Sequence, residues 1–595
     1  MSSALFIFIF VVVASPAAAT HSAGAPAAAI WEGGTIRIVD RATIWPHQPL
    51  TETFAPAEAA WGVFNDTYDK IGWSQFEVHG NVKMSDDVVA RAAGVLEGKL
   101  TAHRILQAAI NSGFGPGMTP NPHVAAFMKV NKQWSTSMNA VAPLSSAADA
   151  TYWHHAALVD AQLEGVHEGY QQAAEASHGA LPSLPFESLL YLNLGDEMDQ
   201  FAHWRPGIGV THGLPTFGAL EPFEAAGKCS ALVRLTPNGD DVMIAQETWS
   251  SLSSMLRVYK MYDLNFTLGG SSADAANATR VPAAKVSFSS YPGVLNSGDD
   301  FYVTSAGLVV QETTIGNSNP DLVRAYVSPL TQPEWKRNIV ANRLAASGTQ
   351  WAGLYAQHNS GTYNNQNIIL NYNLFSPGAP LRNGTLLLVE QIPGFVVNSD
   401  VSAVLQRDGY FGSYNVAYSP FVREVSGADA AEATGGPWFG YWTTARAQLF
   451  KRDAPSVDGM AAMQALMRSC DYQHDDLSHQ QCTDGYISDT KKYHPLGTAE
   501  NCIATRGDLN PADGKYCLSA FGHRNHVATD AKISAFSRHS NAAVPSTVVS
   551  GPTWGAQSGA GNLPPFCWSS SDYNASASHL GHPDCFRFDW VEMSW

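Results

Sequence analysis

The sequence predicts an α+β fold built in packed layers, and three patterns carry that expectation. Helical periodicity runs through two long stretches of the first third, about 85–111 and 147–176. Period-two alternation marks strands, most clearly in a hairpin over residues 229–249. Further strand patterns are separated by one more long helical stretch, 333–357, an order that suits layers of helix and sheet better than a sandwich or barrel.

In chain order, residues 1–19 read as a secretory signal. Leu5 to Ala14 is an apolar run of ten, too short to span a bilayer, and Ala17-Ala18-Ala19 offers small residues for cleavage. The positive charge ahead of that run comes from the amino terminus alone. Residues 20–60, rich in Ala, Pro and Thr, are expected to be an irregular or extended lead-in. Residues 72–78 alternate like a strand, and Ser85 offers an N-cap to the helix reaching about Asn111, with Asp86 and Asp87 in its first turn. A short helix is expected near 184–194, which makes residues 20–228 mostly helical.

The hairpin changes that character. Ala231, Val233 and Leu235 share one face, and Asn238-Gly239 supplies the turn before a second strand starts at Val242. Residues 250–262 read as a helix carrying Leu252, Met255, Leu256 and Tyr259 on one face. Strands are expected at 284–291, 301–304, 308–314, 367–372 and 385–391. Beyond Gly427 loops dominate, and the chain shows no internal repeat.

Composition sets limits on function. The chain has 45% hydrophobic and 11% aromatic residues, the balance of an ordinary globular protein. A formal charge of −17 disfavours a nucleic-acid partner, which needs clustered Lys and Arg, and no run of 18 apolar residues follows the signal, so no transmembrane segment is expected. Twenty histidines against 35 Lys plus Arg would shrink the net charge below pH 6, which suits an acidic compartment. There is no Gly-x-Ser-x-Gly elbow, no P-loop and no dinucleotide fingerprint, and His167-Glu168-Gly169-Tyr170-Gln171 fails the zinc-protease pattern at its last position. No cofactor is expected.

The seven cysteines divide into one and six. Cys470, Cys482, Cys502, Cys517, Cys567 and Cys585 crowd the last 126 residues, and in the secretory pathway they imply up to three disulfides with fifteen connectivities. Cys470, His474, His479 and Cys482 have spacings that could also hold a metal, but disulfides are the preferred reading and no metal site is expected. Sequons at Asn65, Asn265, Asn277, Asn383 and Asn574 fit the same compartment.

Cys229, at the start of the hairpin, stands apart as the only cysteine in the first 469 residues. If the Lys228–Cys229 bond were cut, its thiol would sit beside its own α-amine. Such an amine, with a pKa of roughly 7.7–8.0, can serve as general base without a histidine. The same thiol can begin the cut by attacking the preceding carbonyl.

The hairpin and Ser254-Met255-Leu256-Arg257-Val258-Tyr259-Lys260 resemble the phospholipase B-like family of lysosomal and secreted proteins. So do Ser289-Ser290-Tyr291-Pro292-Gly293, Ser297-Gly298-Asp299-Asp300-Phe301-Tyr302 and Glu312-Thr313-Thr314-Ile315-Gly316-Asn317. Asn359-Ser360-Gly361-Thr362-Tyr363-Asn364-Asn365-Gln366, Glu390-Gln391-Ile392-Pro393-Gly394 and Arg506-Gly507-Asp508-Leu509-Asn510-Pro511 follow in family order. The resemblance spans most of the chain from Trp73 onward. It implies an N-terminal-nucleophile hydrolase with a four-layer αββα fold, matured by self-cleavage just before the cysteine, its 20–228 and 229–595 fragments staying together.

On that resemblance Cys229 matches the nucleophile, Asn415 a donor to the oxyanion, and Arg446 an arginine that holds the nucleophile region or substrate. Gln246, Trp249 and Thr313 look like pocket residues, and Gln246 stands seventeen residues after the nucleophile where family members commonly carry histidine. Glutamine donates a hydrogen bond but does not titrate. The expected activity is removal of fatty acyl chains from phospholipids or lysophospholipids in the lysosome or outside the cell. Two alternatives stand beside it: cleavage of an acyl amide on the same fold, and a secreted lipid-binding glycoprotein with weak turnover. A homodimer is left open.

Overall fold

The computed structural model describes residues 24–44, 53–202, 229–269, 278–479, 496–559 and 563–595, with the backbone alone of two short strands between 481 and 486. The signal segment, Lys228 and Asn277 lie outside the described residues, as does the side chain of Cys482.

The chain forms mixed helices and sheets. The strands are β1 Ala27–Glu32, β2 Thr35–Asp40, β3 Glu58–Asn65, β4 Ser74–Gly80, β5 Cys229–Leu235, β6 Val242–Ser250, β7 Val258–Asp263, β8 Lys285–Ser290, β9 Tyr302–Thr304 and β10 Leu308–Thr314. They continue with β11 Asn365–Asn371, β12 Leu386–Ile392, β13 Phe395–Asp400, β14 Tyr410–Ser413, the two-residue pair β15 Gln481–Cys482 and β16 Gly485–Tyr486, then β17 Val527–Ala535, β18 Ser546–Ser550 and β19 Val591–Met593.

Eleven of them make one sheet in the order β13-β12-β11-β10-β9-β8-β7-β4-β3-β1-β2. A second sheet runs β14-β5-β6-β17-β18-β19 and places the strand led by Cys229 between β14 and β6. The pairings are antiparallel except for β4 with β7, which run parallel and join the segments before and after residue 228.

Three apolar layers hold this together. Ala231, Val233 and Ile244 from the smaller sheet pack on Val303, Val309 and Ile368 of the larger, the alternation that the hairpin's sequence shows. The outer face of the larger sheet buries Phe76, Phe288 and Val310 against the helices Asp86–Leu100, Ala147–Ala176 and Glu334–Leu344. Leu232, Met243 and Ala245, on the other face of the hairpin, pack on Phe450 and Met463 from the helices Ala445–Asp453 and Met460–Met467. The two long N-terminal helices approach through glycines: a Cβ on Gly94 would lie 2.0 Å from the Gln162 carbonyl oxygen, and one on Gly165 would lie 2.3 Å from that of Arg91.

Several local expectations give way to long-range pairing. The lead-in is a hairpin, β1–β2, turned at Gly33-Gly34, and the segment before Cys229 contributes four strands to the large sheet as well as its helices. The stretch 250–262 is a short 3₁₀ turn, Leu252–Ser254, followed by β7, which has a partner on each side and so is fixed by β4 and β8 rather than by its own periodicity. The helix expected from Ser85 to Asn111 breaks at Thr101, whose hydroxyl donates to the Glu97 carbonyl. Likewise 333–357 is two helices, the second capped by Ser347. The helix Pro122–Ser145 was not legible in the apolar pattern, because only one narrow stripe of it is buried.

Candidate active site

Cys229 opens β5 and is 3% exposed, a free cysteine in the interior. Its N–H donates to Asn415 Oδ1 at 3.3 Å, and its thiol donates to Glu312 Oε1 at 3.8 Å. Burial pushes the thiol well above its ordinary range, and the neighbouring Glu312 carboxylate pushes in the same direction, so at neutral pH the sulfur carries its proton.

Asn415 follows β14, the strand paired with β5, which brings it back beside Cys229. It adopts φ 70°, a left-handed conformation that asparagine tolerates better than most residues. Its Nδ2 donates to the Thr314 carbonyl at 2.8 Å and its backbone N–H donates to Thr313 Oγ1 at 3.2 Å. Thr313 shares a hydrogen bond of 2.6 Å with the Ser413 hydroxyl. Thr313 and Asn415 are thus brought together at the point where β10 meets the Cys229 strand.

Arg446 comes from the helix Ala445–Asp453, which covers the outer face of the smaller sheet. Its guanidinium donates to the carbonyl of Cys229 itself, to the Tyr414 carbonyl at 2.8 Å and to Ser230 Oγ at 3.4 Å. It lies over the Trp249 ring, 4.3 Å from its centroid. Burial lowers it to about 10, which leaves it charged at neutral pH. Trp249 is fixed in turn by donating its Nε1–H to the Ile503 carbonyl at 3.1 Å.

Gln246 points between the sheets. Its amide donates to the carbonyls of Asp299, at 2.6 Å, and Glu312, at 3.1 Å. Two residues on, Thr248 donates to Asp299 Oδ2 at 2.8 Å. Asp299 is one corner of a buried quartet in which Arg257 and Lys532 each bridge Asp299 and Asp530. Burial alone would raise Asp299, but the two cations overcome it and hold the carboxyl at about 2.

Two hollows flank this constellation. A small one, about 50 Å³, is bordered by Asn415, Arg446 and Trp438. A larger cavity, about 360 Å³, has apolar walls from Phe114, Leu256 and Trp335, polar ones from Ser250 and Asn296, and Tyr363 in its lining. The Tyr363 hydroxyl lies 3.2 Å from Glu312 Oε1, so the cavity adjoins the thiol through that tyrosine and carboxylate. Gln246, Trp249 and Thr313 are packed behind these hollows rather than in their linings.

Elsewhere Cys470 bonds to Cys502 and Cys567 to Cys585, and Cys517 is also disulfide-bonded. The first bridge removes Cys470 from the metal-like Cys/His set. Of the sequon asparagines, Asn383 and Asn574 are exposed, while Asn65 and Asn265 are half-buried. No helix among the described residues is long and apolar enough to cross a membrane. Sequence reasoning gave no role to Glu312, Tyr363 or Asp299; each lies inside a motif already noted, and only the packing shows what it touches.

A family model described as Phospholipase B matches residues 60–593. The chain is 35% identical over 554 residues to "Putative phospholipase B-like 2" of Mus musculus, covering 92% of this chain and 86% of that protein. It is 36% identical over 548 residues to the Homo sapiens protein of the same name, covering 91% and 86%. Against "Phospholipase B-like protein B" of Dictyostelium discoideum it is 32% identical over 541 residues, covering 89% and 85%.

Proposed function

This chain belongs to the phospholipase B family, and on that premise we propose that it is an acyl hydrolase whose nucleophile is the thiol of Cys229, exposed as a new N-terminus by cleavage at Lys228–Cys229. The observation that carries the reading is the pairing of the Cys229 nitrogen with Asn415 beside a free, buried thiol. Once that nitrogen is an amine, it lies on the same residue as the sulfur and can take the thiol proton as the sulfur attacks an acyl carbonyl. The amine then activates water against the thioester. Arg446 anchors the Cys229 carbonyl, so the nucleophile keeps its place after the chain is cut.

The layering of helices, two sheets and helices supports the αββα N-terminal-nucleophile architecture. The β4–β7 pairing gives the two fragments a reason to stay together. The substrate proposed is a phospholipid or lysophospholipid, with an acyl amide as the alternative bond. Asn415 Nδ2 serves the Thr314 carbonyl here, so a role on the oxyanion requires it to exchange that partner for substrate. The proposed location is the lysosome or the extracellular space, reached through the signal segment.

A second reading has its own observation. Gln246 is committed to two backbone carbonyls and brings no titratable group to the site, which favours a lipid-binding protein with weak turnover. Mass spectrometry of the mature protein tests the first reading: a chain beginning at Cys229 supports it, and an intact chain in correctly localised protein removes it. Properly cleaved protein that binds lipid without releasing fatty acid supports the second.

A further inference from the structure

Self-cleavage poses a problem that turnover does not. In the intact chain the nitrogen of Cys229 is an amide and has no basicity, so the thiol needs another proton acceptor. Among the described residues, Glu312 is the one side chain in hydrogen-bond contact with the sulfur. Lys532 is paired with Asp299 and Asp530, Arg446 donates to the Cys229 carbonyl, and Gln246, at the position where a histidine is common in the family, cannot titrate.

We propose that Glu312 is the general base of the self-cleavage at Lys228–Cys229, and that Tyr363 positions it. The inference rests on the reading of Cys229 as an N-terminal nucleophile. Glu312 is fully buried on β10, and Oε1, the oxygen that faces the sulfur, also faces the Tyr363 hydroxyl. Tyr363 is held with φ 46°, a backbone conformation that is costly for an aromatic residue and persists only where the surroundings impose it. Gln200 Oε1 accepts from its N–H at 3.1 Å, and its hydroxyl also reaches the Gly298 carbonyl at 3.3 Å. Among the described residues, the groups near Glu312 include the Cys229 thiol from β5, the Tyr363 phenol, and, through its charge, the Asp300 carboxyl from the loop before β9.

The step balances without an oxidant or a metal. Glu312 Oε1 takes the proton from the Cys229 sulfur, and a sulfur lone pair forms a bond to the carbonyl carbon of Lys228. The carbon–nitrogen bond between Lys228 and Cys229 breaks, and the proton held by Glu312 passes to the departing nitrogen, which Asn415 Oδ1 holds at 3.3 Å. Water then hydrolyses the thioester, leaving a Lys228 carboxylate and a Cys229 that carries both amine and thiol. One water is consumed, and from then on the α-amine takes over as base.

The test follows full-length protein in time on denaturing gels, with mass spectrometry of the new N-terminus. Four variants accompany the wild type: Glu312→Gln, Glu312→Asp, Tyr363→Phe, and Cys229→Ala as a folded, uncleavable reference. The expected result is cleavage slowed on the order of 10²-fold in Glu312→Gln, the usual scale for a lost general base. Glu312→Asp should be intermediate, and Tyr363→Phe should slow cleavage less than Glu312→Gln. Thermal melts matching Cys229→Ala show that slow cleavage is not misfolding; if Glu312→Gln fails to fold, Tyr363→Phe and Glu312→Asp decide. Wild-type rates in the folded variants would overturn the role of Glu312 while leaving the nucleophile reading intact. An intact wild-type chain would remove both.

Discussion

Gln246 on β6 donates its amide to the Asp299 carbonyl at 2.6 Å, spanning the gap between the two sheets behind Cys229. The same amide reaches the Glu312 carbonyl at 3.1 Å, so one uncharged side chain ties the Cys229 hairpin to both ends of the opposing acidic loop and strand. Gln246→Leu should leave two buried carbonyls without this donor, at about 1–3 kcal/mol for each, seen as a lower melting temperature. Gln246→His should lose less stability. It should also add an inflection between about pH 6 and 7 to the profile of acyl release, at the usual histidine range. An unchanged profile would show that this position takes no part in proton transfer.

Arg446 touches the Cys229 and Tyr414 carbonyls and stacks on Trp249, a set of contacts that suits a flat, forked cation. Arg446→Lys supplies the charge but not the fork. The expected cost is about 2–3 kcal/mol from one lost charged hydrogen bond and weakened stacking, read from denaturant unfolding. Under the proposed mechanism acyl release should fall along with it, because the backbone of Cys229 loses its anchor. Equal activity in the two proteins would assign Arg446 to packing alone.

Burial, aided by the neighbouring Glu334, pushes the Glu197 carboxyl up to about 8. Its oxygens accept the N–H groups of Glu334 and Trp335 at the start of the helix Glu334–Leu344, and the hydroxyl of Thr362. Since the folded value lies above the unfolded one, the folded state holds the proton more tightly. The stabilisation is full below about pH 4.5 and is lost as the pH rises through about 8. Melting temperature should therefore rise as the pH is lowered from 8 toward 5, by an amount worth a few kcal/mol, and Glu197→Gln should flatten that rise. This slope matches an acidic compartment; a fall in stability over the same range would argue against it.

The Cys470–Cys502 bridge closes a separation of 32 residues beside the fully buried Ile503, whose carbonyl receives the Trp249 N–H. Replacing both cysteines by serine should cost about 3–4 kcal/mol by the loop-closure relation. Loss of acyl release beyond the loss of folded protein would show that the bridge also sets the Trp249–Arg446 stack. The measurement pairs calorimetry with turnover per folded molecule.

Much of the site was legible because its residues sit in motifs with a local signature. Cys229 is singled out by cysteine count and by its place at the head of a hairpin. Asn415 and Arg446 were reached through the family resemblance, and the structure brings both onto the backbone of Cys229. Glu312 and Tyr363 were printed in equally plain motifs, yet neither received a role. A carboxylate contributes to a site through what stands opposite it, and 83 residues separate Glu312 from the thiol it meets.

The sequence by itself determined the family, the α+β class, the hairpin with its two faces, and the isolation of Cys229 from the C-terminal cysteines. These are properties of composition, short spacing and ordered motifs, which need no knowledge of distant partners. Tertiary structure decided the rest. It made residues 258–263 a strand, because β4 and β8 offer hydrogen bonds on both edges that outweigh a helical spacing of apolar residues. It turned Gln246 into a tie between sheets and set a buried carboxylate and tyrosine against the sulfur. Periodicity fixes which face of a segment is apolar, whereas the identity of what that face meets depends on pairings between residues tens to hundreds of positions apart.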